Sequence, residues 1–182
     1  NQWSRYLEKV GELSNQSFTS NSAVTVTATA ISTGVNSLIV PVLWSDNLQG
    51  GAKDAVLNAR KVFFDTIGNQ PADFKQTDIK AKLKQYLLKS DSNWDEIWEE
   101  IICLATVPHL KTLAALNAYL DQHRQSLVLL FDGIEDVFSD MKLPNQQVAI
   151  ESLLKLVNRL GELPNQKLGA LIFIRIDYVQ VA

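Results

Sequence analysis

Cysteine is almost missing from this chain of 182 residues: Cys103 alone rules out an intrachain disulfide, and His109 and His123 are the only histidines, too few for a His/Cys zinc site. Positive charge is not in excess either. Seventeen Lys and Arg stand against twenty Asp and Glu, a net charge of -3, so no overall basic field exists to hold a nucleic acid backbone. No run reaches the roughly 18 uncharged apolar residues of a membrane span. The opening Asn1-Gln2-Trp3-Ser4-Arg5 has no signal-peptide core, so a cytoplasmic protein is expected. Also absent is a Walker A loop. Gly50-Gly51-Ala52-Lys53-Asp54 comes nearest, but that loop needs a Gly, four residues, then Gly-Lys-Ser or Gly-Lys-Thr, and Asp54 follows Lys53.

What is present is 46% hydrophobic and 20% charged residues, the composition of an ordinary globular domain. Trp3, Tyr6, Leu7, Val10 and Leu13 recur at helical spacing, and residues 24–30 alternate strictly between apolar and hydroxyl side chains, as a half-buried strand does. A second strand is expected from Leu38 to Trp44; Pro41 makes it an edge strand or interrupts it. Val56, Leu57, Phe63, Phe64 and Ile67 lay out a helix stopped by Gly68 and Pro71.

Helices are then expected at about 76–89, 93–104 and 109–122, a helical insertion within the domain. In the middle one, Trp94, Ile97, Trp98 and Ile101 form an apolar stripe, Ser92 is the expected N-cap, and Asp95, Glu96, Glu99 and Glu100 make a face expected to be solvated. Lys80, Lys82, Lys84 and Lys89 are likewise read as a solvated helix face. His109 and His123 are read as helix-end or surface residues, and Cys103 as a buried small hydrophobe.

The last third is the most organised. The apolar run 126–131 ends abruptly in Asp132-Gly133 and Ile134-Glu135-Asp136; Pro144 then opens a helix buried through Ile150, Leu153, Leu154, Val157 and Leu160, and a second apolar run, 168–174, leads to Arg175. Two strands apolar on both faces, joined by a helix, form a βαβ unit of a parallel sheet. An α/β fold is therefore expected, with 127–131 and 169–175 in the sheet, a strand pair near 24–44 and helices 76–122 inserted. Ligands of such sheets sit beyond the carboxyl ends of the strands. Asp132 is placed there to hold Mg²⁺, and Glu135 or Asp136 to orient or deprotonate a water.

The segment Leu127-Val128-Leu129-Leu130-Phe131-Asp132-Gly133-Ile134-Glu135-Asp136 resembles the Walker B segment of P-loop NTPases. Acids three and four places after the metal-binding Asp make it similar to the STAND and related AAA-like ATPases. The likeness covers roughly residues 125–180. It implies an ATP-binding and hydrolysing regulatory or signalling domain in which Asp132 coordinates Mg²⁺, Glu135 or Asp136 serves the water, and Arg175 reports on the γ-phosphate. Gly133 stands where additional-strand ATPases commonly carry Glu, and Arg175 where these families often carry Ser, Thr or Asn.

By that resemblance residues 1–182 form a partial ATPase-like domain. Its P-loop strand is expected upstream of Asn1, beside strand 169–175, whose edge is otherwise open, and this chain alone is expected to be inactive. Nucleotide, other domains of the same polypeptide, and a further copy or protein partner are the expected partners. The alternatives are an inactive ATPase-like scaffold that docks proteins through helices 76–122, and an unrelated α/β module in which Asp132-Gly133 is only a turn.

Overall fold

The computed structural model describes residues 37–67, 76–89, 92–138 and 144–174. The expected helix at 3–13, the strand at 24–30 and Arg175 lie outside them. Within them the chain runs β1 (Ser37–Leu43), α1 (Gly51–Ile67), α2 (Gln76–Leu87), α3 (Trp94–Ala105), α4 (Leu113–Gln122), β2 (Ser126–Phe131), α5 (Glu135–Phe138), α6 (Pro144–Gly161) and β3 (Leu168–Ile172). The strands make one sheet in the order β1-β2-β3 and are parallel throughout, with Leu127 opposite both Leu38 and Leu168. This is the expected α/β architecture, with 127–131 and the strand after it adjacent and parallel. Among the described residues no strand pairs with the second edge of β3.

Side-chain alternation explains the layers. Leu38, Val40 and Val42, Leu127, Leu129 and Phe131, and Leu168 and Ala170 enter one large core with α2, α3, α4 and α6. Leu130 faces the other way, into a smaller cluster with Trp44, Ala52 and Val56, against which Ile39 and Leu171 pack. Every residue of β2 is buried, which is why its sequence shows no polar alternation.

Of the two alternatives expected from Pro41, β1 shows both among the described residues: it lies at the edge of the three strands, and its register with β2 shifts between Pro41 and Leu43. The Pro41 carbonyl accepts from Arg60 Nη1 at 2.7 Å, while Nη2 of the same guanidinium donates to Ala105 O at 3.0 Å. Arg60 also lies 5.1 Å from the Phe64 ring centre. One side chain of α1 thus joins β1 to the end of α3. Burial pushes its pKa down to about 9, so it is still charged at neutral pH.

At the centre of the large core, Trp98 is fully buried, edge-on to Phe131 at 6.0 Å, and donates from Nε1 to Ala149 O at 2.9 Å. The tryptophan stripe is packing, as its spacing indicates. Its polar flank differs from expectation. Glu100 accepts from Lys82 and Tyr86, Asp95 and Glu99 pair with Arg159, and Glu99 also receives the Leu113 amide. Asp95, Glu99 and Glu100 therefore join α3 to α2, α4 and α6, because its polar flank meets neighbours on both sides, while Glu96 is exposed as expected. The N-cap is Asn93, whose side chain accepts from the Asp95 amide; Ser92 instead donates to Tyr86 O.

The helix expected from 109 begins at Leu113. Thr112 adopts extended backbone and its hydroxyl accepts from the Ala115 amide, a stronger start signal than Pro108. His109 therefore precedes the helix and His123 caps its end, with the Tyr119 ring in contact with both. Cys103 is buried, and burial raises its pKa to about 11, in keeping with an inert side chain. No helix among the described residues is long and apolar enough to cross a membrane.

Candidate active site at the carboxyl end of the central strand

The end of β2 is tied to its neighbours before any functional group appears. The Asp132 amide donates to Leu43 O at 3.1 Å, and the Phe173 amide to Phe131 O at 2.8 Å. The chain then turns through Gly133, at φ 70°, into the single turn α5, closed by bonds from the Asp136 amide to Gly133 O and from the Val137 and Phe138 amides to Ile134 O. Ile134, Val137 and Phe138 are buried. Their spacing rolls the turn onto the core and leaves Asp132, Glu135 and Asp136 half-buried on its outer side.

Gly133 is required twice over. Besides its positive φ, a Cβ there would lie 2.5 Å from Ser45 N and 2.6 Å from Ser45 Cα. The turn after β2 is pressed against the backbone that follows β1, so the two strand ends form one surface.

The three acids differ in their surroundings. Asp132 Oδ1 accepts the Gly133 amide at 2.9 Å, the one hydrogen bond its side chain makes to a described residue. Burial raises the Asp132 pKa; the Gly133 amide opposes this, the charges of Glu135 and Asp136 add to it, and Lys80 reduces it. Asp136 is engaged through one oxygen. Its Oδ2 accepts from the Asp46 amide at 2.7 Å and from Lys80 Nζ at 3.1 Å. Burial pushes the Asp136 carboxyl up, but the Asp46 amide, the Lys80 ammonium and the Ser45 hydroxyl outweigh it and hold the carboxyl below its ordinary value. Glu135 makes no hydrogen bond or ion pair with another described residue.

Lys80 also reaches Asp46 Oδ1 at 2.9 Å, and only 8% of its side chain is exposed. One turn earlier on α2, Gln76 donates to Trp44 O. The reading of Lys80 as solvated is thus corrected. Its place in the stripe was legible, since Gln76, Lys80, Leu83 and Leu87 follow one another at spacings of four, three and four, and the last three are buried. Neither Asp46 nor Gln76 carried any motif that would have marked it.

Four carboxylates, of Asp46, Asp132, Glu135 and Asp136, gather here, with Lys80 as the cation bonded to two of them. The surplus is negative and consists of hard oxygen donors. Among the described residues no three His, Cys, Asp or Glu converge to cage a metal ion. A donor set of one or two carboxylates suits Mg²⁺, which keeps several waters and takes further ligands from substrate phosphates.

Comparison with known proteins found no matching family model, no matching curated protein and no matching solved structure.

Proposed function

We propose that this chain carries the metal-binding part of a Mg-ATP site in a P-loop NTPase-like regulatory ATPase. The observation that carries this reading is Asp132: a half-buried carboxylate, released by the central strand of a parallel sheet, with one oxygen free of described partners. The parallel, adjacent β3 supports it, because the strand after the metal-binding one is expected beside it in such a core. So does the negative surplus around Asp132, which a divalent cation would relieve.

In this reading Asp132 would hold Mg²⁺, which would supply charge neutralisation at the phosphates. Glu135 or Asp136 receives the proton of the water that attacks the γ-phosphorus, with ADP leaving. Arg175, three residues beyond the end of β3, contacts the γ-phosphate. The nucleotide state would act on the rest of the polypeptide.

Titration calorimetry with Mg-ATP, on the polypeptide as naturally made, tests this. Binding that needs Mg²⁺ and weakens about tenfold or more in Asp132→Asn is the expected result, a loss of about 1.4 kcal/mol. Binding unchanged in Asp132→Asn would remove Asp132 from the site. No binding at millimolar Mg-ATP would favour the scaffold reading, with helices 76–122 as the docking surface.

A further inference from the structure

The two acids after Asp132 are chemically alike in sequence, but the structure separates them. Asp136 spends Oδ2 on the Asp46 amide and on Lys80, whereas Glu135 has no bonded partner among the described residues. Lys80 comes from α2, 56 residues upstream of Asp136, so it joins the helical insertion to the strand end. Through Asp46 and, one turn back, Gln76 on the Trp44 carbonyl, α2 fastens the loop after β1 at two points. That is the loop on which Gly133 rests.

We infer that Lys80 is a positioning residue of this site: acting through Asp136, it fixes the α5 turn against the loop after β1 and leaves Glu135 as the acid that handles the water proton beside Asp132. This rests on the ATPase reading above. A base must take a proton without losing the contacts that hold it, and a carboxylate paired with an ammonium gives up that charge pairing when it is protonated. Asp136, held by an ammonium and an amide, is a poor base, and its bonds set the orientation of the turn that carries Glu135. Lys80 contributes charge compensation and geometry and touches no reacting atom.

The test is steady-state Mg-ATP hydrolysis by the naturally made polypeptide, comparing native protein with Lys80→Met, Lys80→Arg, Asp136→Asn, Glu135→Gln and the Lys80→Met/Asp136→Asn pair. Expected are a roughly tenfold fall in kcat for Lys80→Met and for Asp136→Asn, with KM within about twofold, and a pair no worse than either single change, because both act through one bridge. Lys80→Arg, which can span the same two carboxylates, should restore kcat to within about threefold. Protection of the Asp46 amide from hydrogen exchange should fall in Asp136→Asn, a nearly isosteric change that guards against Lys80→Met merely unfolding the chain.

Unchanged kcat in both Lys80→Met and Asp136→Asn, with native turnover intact, would overturn the assignment alone. A raised KM at constant kcat in Lys80→Met would make Lys80 a nucleotide contact, and a deeper loss in Asp136→Asn than in Glu135→Gln would make Asp136 the base; either overturns it. No turnover by the native polypeptide would overturn the ATPase reading, and this assignment with it.

Discussion

Gly133→Ala is expected to cost on the order of 2–5 kcal/mol. Two effects add. An Ala at a φ of 70° pays roughly 1–2 kcal/mol for the left-handed backbone. Its Cβ would also meet Ser45 N at 2.5 Å, Ser45 Cα at 2.6 Å and Trp44 C at 2.8 Å, all backbone atoms that cannot rotate away, and overpacking of this kind costs about 1–3 kcal/mol. Relief requires the turn after β2 to part from the loop after β1, and that parting would strain the Asp46 to Asp136 bond and the Lys80 bridge. Gly50 provides the control, since it has a similar φ of 54° and no atom within 4 Å of an added Cβ. Gly50→Ala should therefore cost only the backbone part, about 1–2 kcal/mol. Urea unfolding of both variants decides the matter; equal losses would mean that the contact between the two strand ends is loose.

Glu135→Gln should leave the fold intact and remove turnover. Gln has nearly the same shape but no basic carboxylate, and a positioned general base contributes about 10²–10⁴-fold to rate. A loss of at least about 100-fold in kcat is expected, with Mg-ATP affinity retained within about threefold. Stability should change by less than about 0.5 kcal/mol, because Glu135 is bonded to no other described residue. Asp136→Asn should show the opposite balance, with a measurable loss of stability and a smaller loss of rate, since its carboxylate is already committed to Lys80 and the Asp46 amide. Single-turnover measurements on both variants, set beside their unfolding curves, separate the two roles.

Much of the fold was legible because burial writes itself into periodicity. The uninterrupted apolar run 126–131 has no polar alternation since its strand is buried on both faces, and together with the helix and second apolar run after it this indicated a parallel sheet covered by helices. The stripe of Trp94, Ile97, Trp98 and Ile101 gave α3 for the same reason. Helix starts were less legible, because a cap depends on local hydrogen bonding that several polar residues could supply. Asn93 took the place expected for Ser92, and Thr112 displaced the start expected near 109.

In the site, Asp132, Glu135 and Asp136 were found by their position after a buried strand. Their different bonding was not legible, because it depends on Lys80, 52 residues before Asp132, and on the backbone of Asp46. Charged residues on helices are usually solvated, and that expectation hid the pairing of Lys80, Asp95, Glu99 and Glu100. The missed signal was phase: Lys80 stands in step with Leu83 and Leu87, and a charge on a buried stripe calls for a partner.

The most direct test of the central claim is where a bound metal–nucleotide complex sits on the fold. Mn²⁺ in place of Mg²⁺, added with ATP to the isotopically labelled polypeptide, broadens the amide resonances near it. Broadening is expected at Asp132, Gly133, Glu135 and Asp46, at the carboxyl end of the sheet, with Ser126 and Leu168 at the opposite end left sharp and the effect lost in Asp132→Asn. Broadening centred elsewhere on the fold, or unaltered in Asp132→Asn, would contradict it.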